Sequence, residues 1–554
     1  MTTPGAAPGR WLGARGWWLV AFLGLLLALD PARLGTAPVD AEGTPWMMLE
    51  SLRWDGDLVY EADDLERAVE RWSAGPRGLR LSVADEGGRL SFADSPAYPL
   101  LMLPFYWLLG GAGVVLLQGL LLIWLMRSAE AELGRPFGTL FIGASALLLF
   151  AWLPQPHLLL MALLLYGTKV WMGEGGSWLV AGAGWAAAGV IAPVVLILPL
   201  AAVIDLLRRR HRDRLAKVAI GALLSALPIL LLAATIPGAT WAFSADPVRI
   251  FEQQFPLTNT DAEVLAAQVE RSPTRDARRL AVASWFRLAG RNFGWIVLFP
   301  GALFALLALP FGRFEGRRGV LAVVLVLLFV HGLWVGGGGA YGGLSLVAGI
   351  PCLIFLLPRR FATPAIPPLV VAAVLWTLPA LAGVLLPAAK PWPALRWLPL
   401  ELTALEAPER LGYRAFDSPR GRWFVPHHAL LEVVSEAPLE IRLRGDRRAE
   451  IWLVSRADLA AAVLEARALS AGAVLTVAGG DEVHRVRFDS AGKRDGTLLE
   501  VPLEARSRDL RVAFGRERFY RLDVVIEGGK VIPGGRFLGA TLTLEARSRR
   551  ELQR

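Results

Sequence analysis

Apolar stretches long enough to cross a lipid bilayer recur between residues 16 and 387, and no other property of the chain limits its fold so tightly. A hydrocarbon core about 30 Å thick admits backbone only where every N–H and C=O is bonded within the protein, so such runs fold as helices. The first, residues 16–29, follows Arg10 and Arg15 and ends at Asp30 without a small-residue cleavage site. It reads as an uncleaved helix with the N-terminus inside. Further spans read at 110–126, 137–153, 156–172, 214–234, 293–310, 319–335, 342–357 and 365–387. The run 177–205 is too long for one upright span, and Gly189 and Pro193 interrupt it, so it reads as two short helices meeting near the outer surface. About eleven crossings result.

Charge tests that count. Of the whole chain 54% is hydrophobic and only 19% charged, with a mean hydropathy of +0.46, a composition that requires lipid as solvent. The net charge of +9 sits mostly in short loops between apolar runs. There it sets topology, so nucleic-acid binding is excluded as the reading of the basic balance. Inside loops then hold Arg127 and Arg135; Arg208, Arg209, Arg210, Arg212, Arg214 and Lys217; Arg313, Arg317 and Arg318; and Arg359 and Arg360. The outer side receives the loops 30–97 and 235–292, the tip Gly336–Gly343 and everything beyond 388. An even count, with 177–205 as a single helix, would bring the C-terminal region inside. The odd count gives a multi-pass protein of the cell inner (plasma) membrane with a cytoplasmic N-terminus and a periplasmic C-terminal domain.

The pattern changes near 388. Residues 1–387 form the membrane domain, whereas 388–554 carry short alternating stretches, among them 439–445, 449–455, 473–479, 483–488, 509–514, 520–528 and 540–546. Alternation broken by Gly, Asp and Ser predicts half-buried antiparallel strands, here a β-sandwich of about 150 residues with one helix near 456–468. The fold class is mainly α, polytopic, with a C-terminal β-sandwich domain. The single cysteine, Cys352, permits no intramolecular disulfide, and His427-His428 on a strand would point to opposite faces, away from common metal geometry.

The outer loop 30–97 carries fourteen acidic residues from Asp30 to Asp94 against seven arginines. A carboxylate held at a membrane surface can take the proton of an acceptor hydroxyl, or bind a divalent cation that neutralises a phosphate leaving group. Asp40 and Glu42 lie ten and twelve residues past the first helix. Solvated loop charge is the competing reading, and it suits Asp57, Asp63 and Asp64; either of the last two would cap a helix beginning near Leu65, with Glu66 in its first turn.

The run VD-x-E, seven residues, then ESLRWDGDLVYEADDLERAVERW, followed by SPAYPLLMLPFYWLLGGAG, resembles the first periplasmic loop of bacterial GT-C-type membrane glycosyltransferases. The segments 245–256, 290–307, 336–358 and 396–405 agree with large members of that family in the same order. The resemblance implies a GT-C-like membrane domain that transfers sugar from a polyprenyl-phosphate donor to a glycan, lipid or protein acceptor of the cell envelope. It also implies Asp40 as catalytic base, with Glu42 as its acidic neighbour, a second base or a ligand, together with Asp40, of a divalent cation (Mg or Mn). Arg249, Arg287 and Arg291 become candidates for the donor lipid phosphate, since guanidinium forks match phosphate oxygens. They fit solvated loop or headgroup anchor roles as well.

Three positions depart from the family pattern. Gly343-Leu344-Ser345-Leu346 stands where relatives often carry Asn-Arg-Tyr, Ala192-Pro193 where they carry Arg-Pro, and Asp94-Ser95 where a Lys or His commonly precedes the Pro of the second helix. Their loss keeps open a non-catalytic envelope scaffold whose β-domain binds a partner or glycan. A transporter would need buried charges and a two-fold repeat, and apart from His331 the helices lack such charges. His331 itself fits a functional site or a bond to a neighbouring helix. Trp17, Trp18, Trp107, Trp152, Trp171, Trp295 and Trp334 fall near helix ends, as an aromatic belt would. Gly336–Gly339 lacks the Lys-Ser/Thr of a phosphate loop and reads as an outer tip.

Overall fold

The computed structural model describes residues 43–61, 79–83 and 90–134, most of 137–239, residues 248–250, most of 284–334, residues 347–357 and the strands between 413 and 548, with a few isolated positions including Asp63, Asp64 and Arg67. These residues form two units, one ending at 357 and one beginning at 413. Apart from Leu23 and Gly24, which are helical, the first helix lies outside the described residues, as do the span 365–387, the stretch 509–514, the tip Gly336–Gly343 and His427-His428.

The helical unit opens with α1 (Gly43–Trp54), then β1 (Leu79–Val83), β2 (Leu90–Phe92), α2 (Ala97–Leu109) and α3 (Gly111–Leu133). After these come α4 (Phe137–Gly143), α5 (His157–Met172), α6 (Trp178–Ile191), α7 (Ile197–Arg208), α8 (Arg212–Thr235), β3 (Val248–Ile250), α9 (Trp295–Leu298), α10 (Pro300–Ala308) and α11 (Gly316–Trp334). Among the described residues three helices, α3, α8 and α11, are long and apolar enough to cross a membrane. On α8, Leu223, Leu224 and Leu231 are 61%, 62% and 60% exposed, an apolar face of the kind a membrane-crossing helix turns to lipid.

Three long spans among the described residues are fewer than the about eleven crossings expected: the other described crossings are short or broken, for local chemical reasons. The run 137–153 divides into α4 and a 3-10 turn at Ala146–Ala151. Ser145 bridges the break, its Oγ donating to the Ile142 carbonyl (2.6 Å) and accepting from the Leu147 N–H (3.3 Å). The run 293–310 breaks at Phe299, and Pro300, which has no N–H to donate, starts α10. Of 342–357 the structure shows a 3-10 turn at Ile350–Phe355, with Pro351 near its start. The hairpin 177–205 is present as read, α6 and α7 joined by a 3-10 turn at Pro193–Leu196.

Close backbone contact joins α6 to α8. A Cβ added to Gly221 would collide with the Leu179 carbonyl, and one added to Gly182 would collide with the Val218 carbonyl. Small residues at such crossings let dispersion contacts form where no hydrophobic force acts between helices in lipid. At the end that the charge reading places inside, Asp205 of α7 gathers three donors: Trp171 Nε1 from α5 (3.1 Å), Arg209 Nε (2.8 Å) and Arg317 Nε from α11 (2.8 Å). Trp171 and Trp295 are buried core residues, which corrects their reading as belt anchors; Trp107 is exposed, as a belt residue should be.

The second unit is a sandwich of two antiparallel sheets. One runs β11-β10-β13-β8-β5-β4 and the other β12-β9-β16-β7-β6. Their strands are β4 (Tyr413–Ser418), β5 (Gly421–Pro426), β6 (Leu431–Glu436), β7 (Leu439–Arg444), β8 (Arg447–Ser455), β9 (Leu459–Ala468), β10 (Val474–Gly479), β11 (Glu482–Arg487), β12 (Thr497–Pro502), β13 (Arg518–Glu527) and β16 (Gly539–Ser548). A separate ribbon pairs β14 (Val531–Ile532) with β15 (Arg536–Phe537). Alternate residues of both sheets, such as Trp423, Leu453 and Leu522 against Ile441, Leu464 and Leu542, fill one core. The helix expected near 456–468 is instead strand β9. Its Ala- and Leu-rich sequence favours a helix, but pairing on both sides, to β12 and β16, outweighs a propensity of a few tenths of a kcal/mol per residue.

Candidate functional site

The described part of the loop 30–97 has its own small core. Trp46, Met47, Met48 and Leu52 of α1 pack with Leu58, Tyr60, Leu81, Leu90 and Phe92, so the helix lies on the strands that follow it. Pro45 in the first turn suits the start of α1. The helix stops at Trp54, where the N–H groups of Asp55 and Gly56 both return to the Ser51 carbonyl (2.8 and 3.0 Å). Ser51 Oγ donates to the Asp57 carbonyl (2.9 Å), and Asp57 Oδ1 accepts the Val59 N–H (3.1 Å), an Asx-type turn. Arg67 bridges Asp55 and Asp64, at 2.8 Å from the latter. The reading of Asp57 and Asp64 as solvated charges is therefore corrected, because both serve to hold the turn; Asp63 is exposed.

Asp64 is buried, its side chain only 1% exposed. Burial pushes its carboxyl up to about 6, against the Glu61 N–H and Arg67, which favour the charged form. Burial, with Asp64 beside it, likewise holds the Tyr60 hydroxyl above its ordinary range.

A second acid was not singled out from sequence. Glu50 lies on the buried side of α1, where Tyr106 Oη donates to its Oε1 and Trp54 Nε1 to its Oε2 (2.8 Å). The Arg53 guanidinium stands over the Trp54 ring at 5.0 Å and the Tyr106 ring at 5.5 Å. The i, i+3, i+4 spacing of Glu50, Arg53 and Trp54 on one helix was the available signal. Tyr106 was hidden because its partner lies 56 residues away.

The loops 30–97 and 235–292 meet. Strand β3 from the loop 235–292 pairs with β1, giving the sheet order β2-β1-β3, with Arg249 opposite Arg80 in register. The Leu58 N–H also donates to the Pro237 carbonyl (2.9 Å). Gly238, at φ +72°, fits against this strand, since an added Cβ would lie 2.7 Å from the Val59 nitrogen. The structure thus puts the backbone of Arg249 in the sheet of the acidic loop. Arg287 lies at the C-terminal end of α11, where its Nη1 and Ser284 Oγ both donate to the Leu333 carbonyl (2.7 Å each). Asp40, Glu42 and Arg291 lie outside the described residues, and among the described residues no three metal-ligand side chains cluster. Nor does His331 Nδ1 find a hydrogen-bond partner among them.

No protein-family model matches the chain, and no curated protein matches it. Three solved chains do. One is the arabinosyltransferase EmbB from Mycobacterium smegmatis, 13% identical, aligned over 99% of this chain and 66% of its own length, with a TM-score of 0.26. The chain thus spans just under two thirds of that protein.

Proposed function

We propose that the protein is a membrane glycosyltransferase that moves a sugar from a polyprenyl-phosphate donor to an envelope acceptor on the outer face of the membrane. The observation that supports it is the joining of the two outer loops through β1 and β3, which brings the loop that carries Asp40 and Glu42 together with the one that carries Arg249. In this reading Asp40 takes the proton of an acceptor hydroxyl as its oxygen bonds to the sugar anomeric carbon. The bond from that carbon to the phosphate oxygen breaks, and the lipid phosphate leaves with the electron pair. Arg249, Arg287 and Arg291 would balance its charge. A Mg or Mn ion on Asp40 and Glu42 belongs to the same proposal, and metal titration of Asp40→Asn membranes after chelation tests it.

Transfer from a radiolabelled polyprenyl-phosphate sugar, measured in membranes, tests the assignment. Asp40→Asn should lower the rate about 10²–10⁴-fold, the range for a lost general base. Unchanged transfer would remove Asp40 as base.

A scaffold without catalysis is the second reading. It is favoured by Arg287, which is engaged at a helix end, and by the apolar Leu344 and Ala192 at positions where relatives are basic or polar. A scaffold would show no transfer with any acceptor.

A further inference from the structure

Among the described residues Arg53 is a cation without an anion. Among the described residues it makes two ring contacts and neither an ion pair nor a hydrogen bond from its guanidinium. The acids around it are engaged elsewhere: Glu50 accepts from Tyr106 and Trp54, Asp55 pairs with Arg67, and Asp57 closes its own turn. Two aromatic rings flank the guanidinium, and its five N–H donors find no acceptor among the described residues.

Immediately beside it the protein is built for lipid. Tyr106, one of the two rings under Arg53, is fully buried, but its neighbours in the last turn of α2 are not: Phe105, Trp107, Leu108 and Leu109 are 41%, 60%, 80% and 59% exposed. Trp54, the other ring, is also exposed. A fixed cation next to an exposed apolar turn matches a molecule with an anionic head and an apolar chain, and water-soluble anions use only half of it.

We infer that Arg53, held by Trp54 and Tyr106, binds the phosphate of a membrane lipid whose chain lies along Phe105, Leu108 and Leu109, which share one face of α2. The site deepens the glycosyltransferase reading by adding a phosphate contact to those assigned from sequence, and rests on it only for the identity of the lipid. Binding at Arg53 and transfer dependent on Asp40 can therefore succeed or fail separately.

The test is calorimetric titration of the purified full chain, in a nonionic detergent, with farnesyl phosphate, farnesol and inorganic phosphate. Farnesyl phosphate should bind the wild type at least about tenfold more tightly than either of the others, which each lack one half of the match. Arg53→Gln should weaken farnesyl phosphate binding about tenfold or more, and Arg53→Lys should fall between, since a point charge keeps attraction and loses the stacked fork. Leu108→Ser should weaken farnesyl phosphate and leave inorganic phosphate unaffected. Arg212→Gln, in the basic turn between α7 and α8, should change nothing. Absence of binding to the wild type, equal affinity in Arg53→Gln, or a loss confined to Arg212→Gln would overturn the site. Inorganic phosphate binding as tightly as the lipid, or farnesol binding as tightly as its phosphate, would overturn the assignment to a lipid phosphate.

Discussion

Buried carboxylates need donors, and those of the loop 30–97 find them in two different ways. Glu50 has two neutral donors, Tyr106 Oη and Trp54 Nε1. Removing one leaves a buried acceptor short, so Tyr106→Phe should destabilise the loop by about 1–3 kcal/mol, readable as a lowered thermal midpoint by near-ultraviolet circular dichroism. Asp64 has a charged donor and a backbone N–H, yet its burial dominates, with a folded value of about 6 against an ordinary 3.8. Between those values the folded chain holds the proton more tightly than the unfolded chain. Stability from this group is therefore fully present below about pH 4 and is lost as pH rises through about 6, by about 3 kcal/mol in all. Unfolding measured from pH 4 to 7 should show that decline in the wild type and a flatter profile in Asp64→Asn. An equal slope in both would remove Asp64 as the cause.

At the scale of helices and strands, packing decides what local preference leaves open. Gly221 permits α8 to touch the backbone of α6, so Gly221→Val should force the pair apart and lower the thermal midpoint in detergent, with a cost of about 1–3 kcal/mol for overpacking. Asp205 ties α5 and α11 to α7 through Trp171 and Arg317, and Asp205→Ala should cost a similar amount by leaving both donors without it. The alternating strands β7, β8, β10, β11, β13 and β16 were legible from sequence because period-two patterning is local. Strand β9 was not, since its residues favour helix and only its two neighbours in the sheet decide otherwise. Serine and proline breaks shortened helices that hydropathy alone reads as continuous, because hydropathy counts side chains and ignores where the backbone loses a donor. The candidate site was legible as acids, but not as partnerships. That Glu50 meets Tyr106 is a fact of long-range contact that no spacing encodes, whereas Asp57 and Asp64 bond locally, to the Val59 and Glu61 N–H groups, and read as plain loop charge only because the burial around them is set by the fold.

For the whole molecule, the account depends on the outer loops acting as one platform. The charge pattern assigns 30–97 and 235–292 to the same side, and the sheet β2-β1-β3 joins them through backbone bonds. The cluster around Asp205 agrees from the opposite side, because Trp171, Asp205 and Arg317 all lie at helix ends that the same reading places inside. Without the joined loops, a base on the first loop and cations on the second have no common place to meet a substrate.

Cross-linking in intact cells tests this most directly. Arg80 and Arg249 are register partners on antiparallel strands, where Cα atoms lie about 4.5–5.5 Å apart, within reach of a disulfide, and the one native cysteine, Cys352, is buried. The Arg80→Cys/Arg249→Cys pair should cross-link on mild oxidation, and its free thiols, before oxidation, should react with a membrane-impermeant maleimide added outside. Failure to cross-link, with both thiols labelled independently, would contradict the joined platform on which the enzyme reading stands.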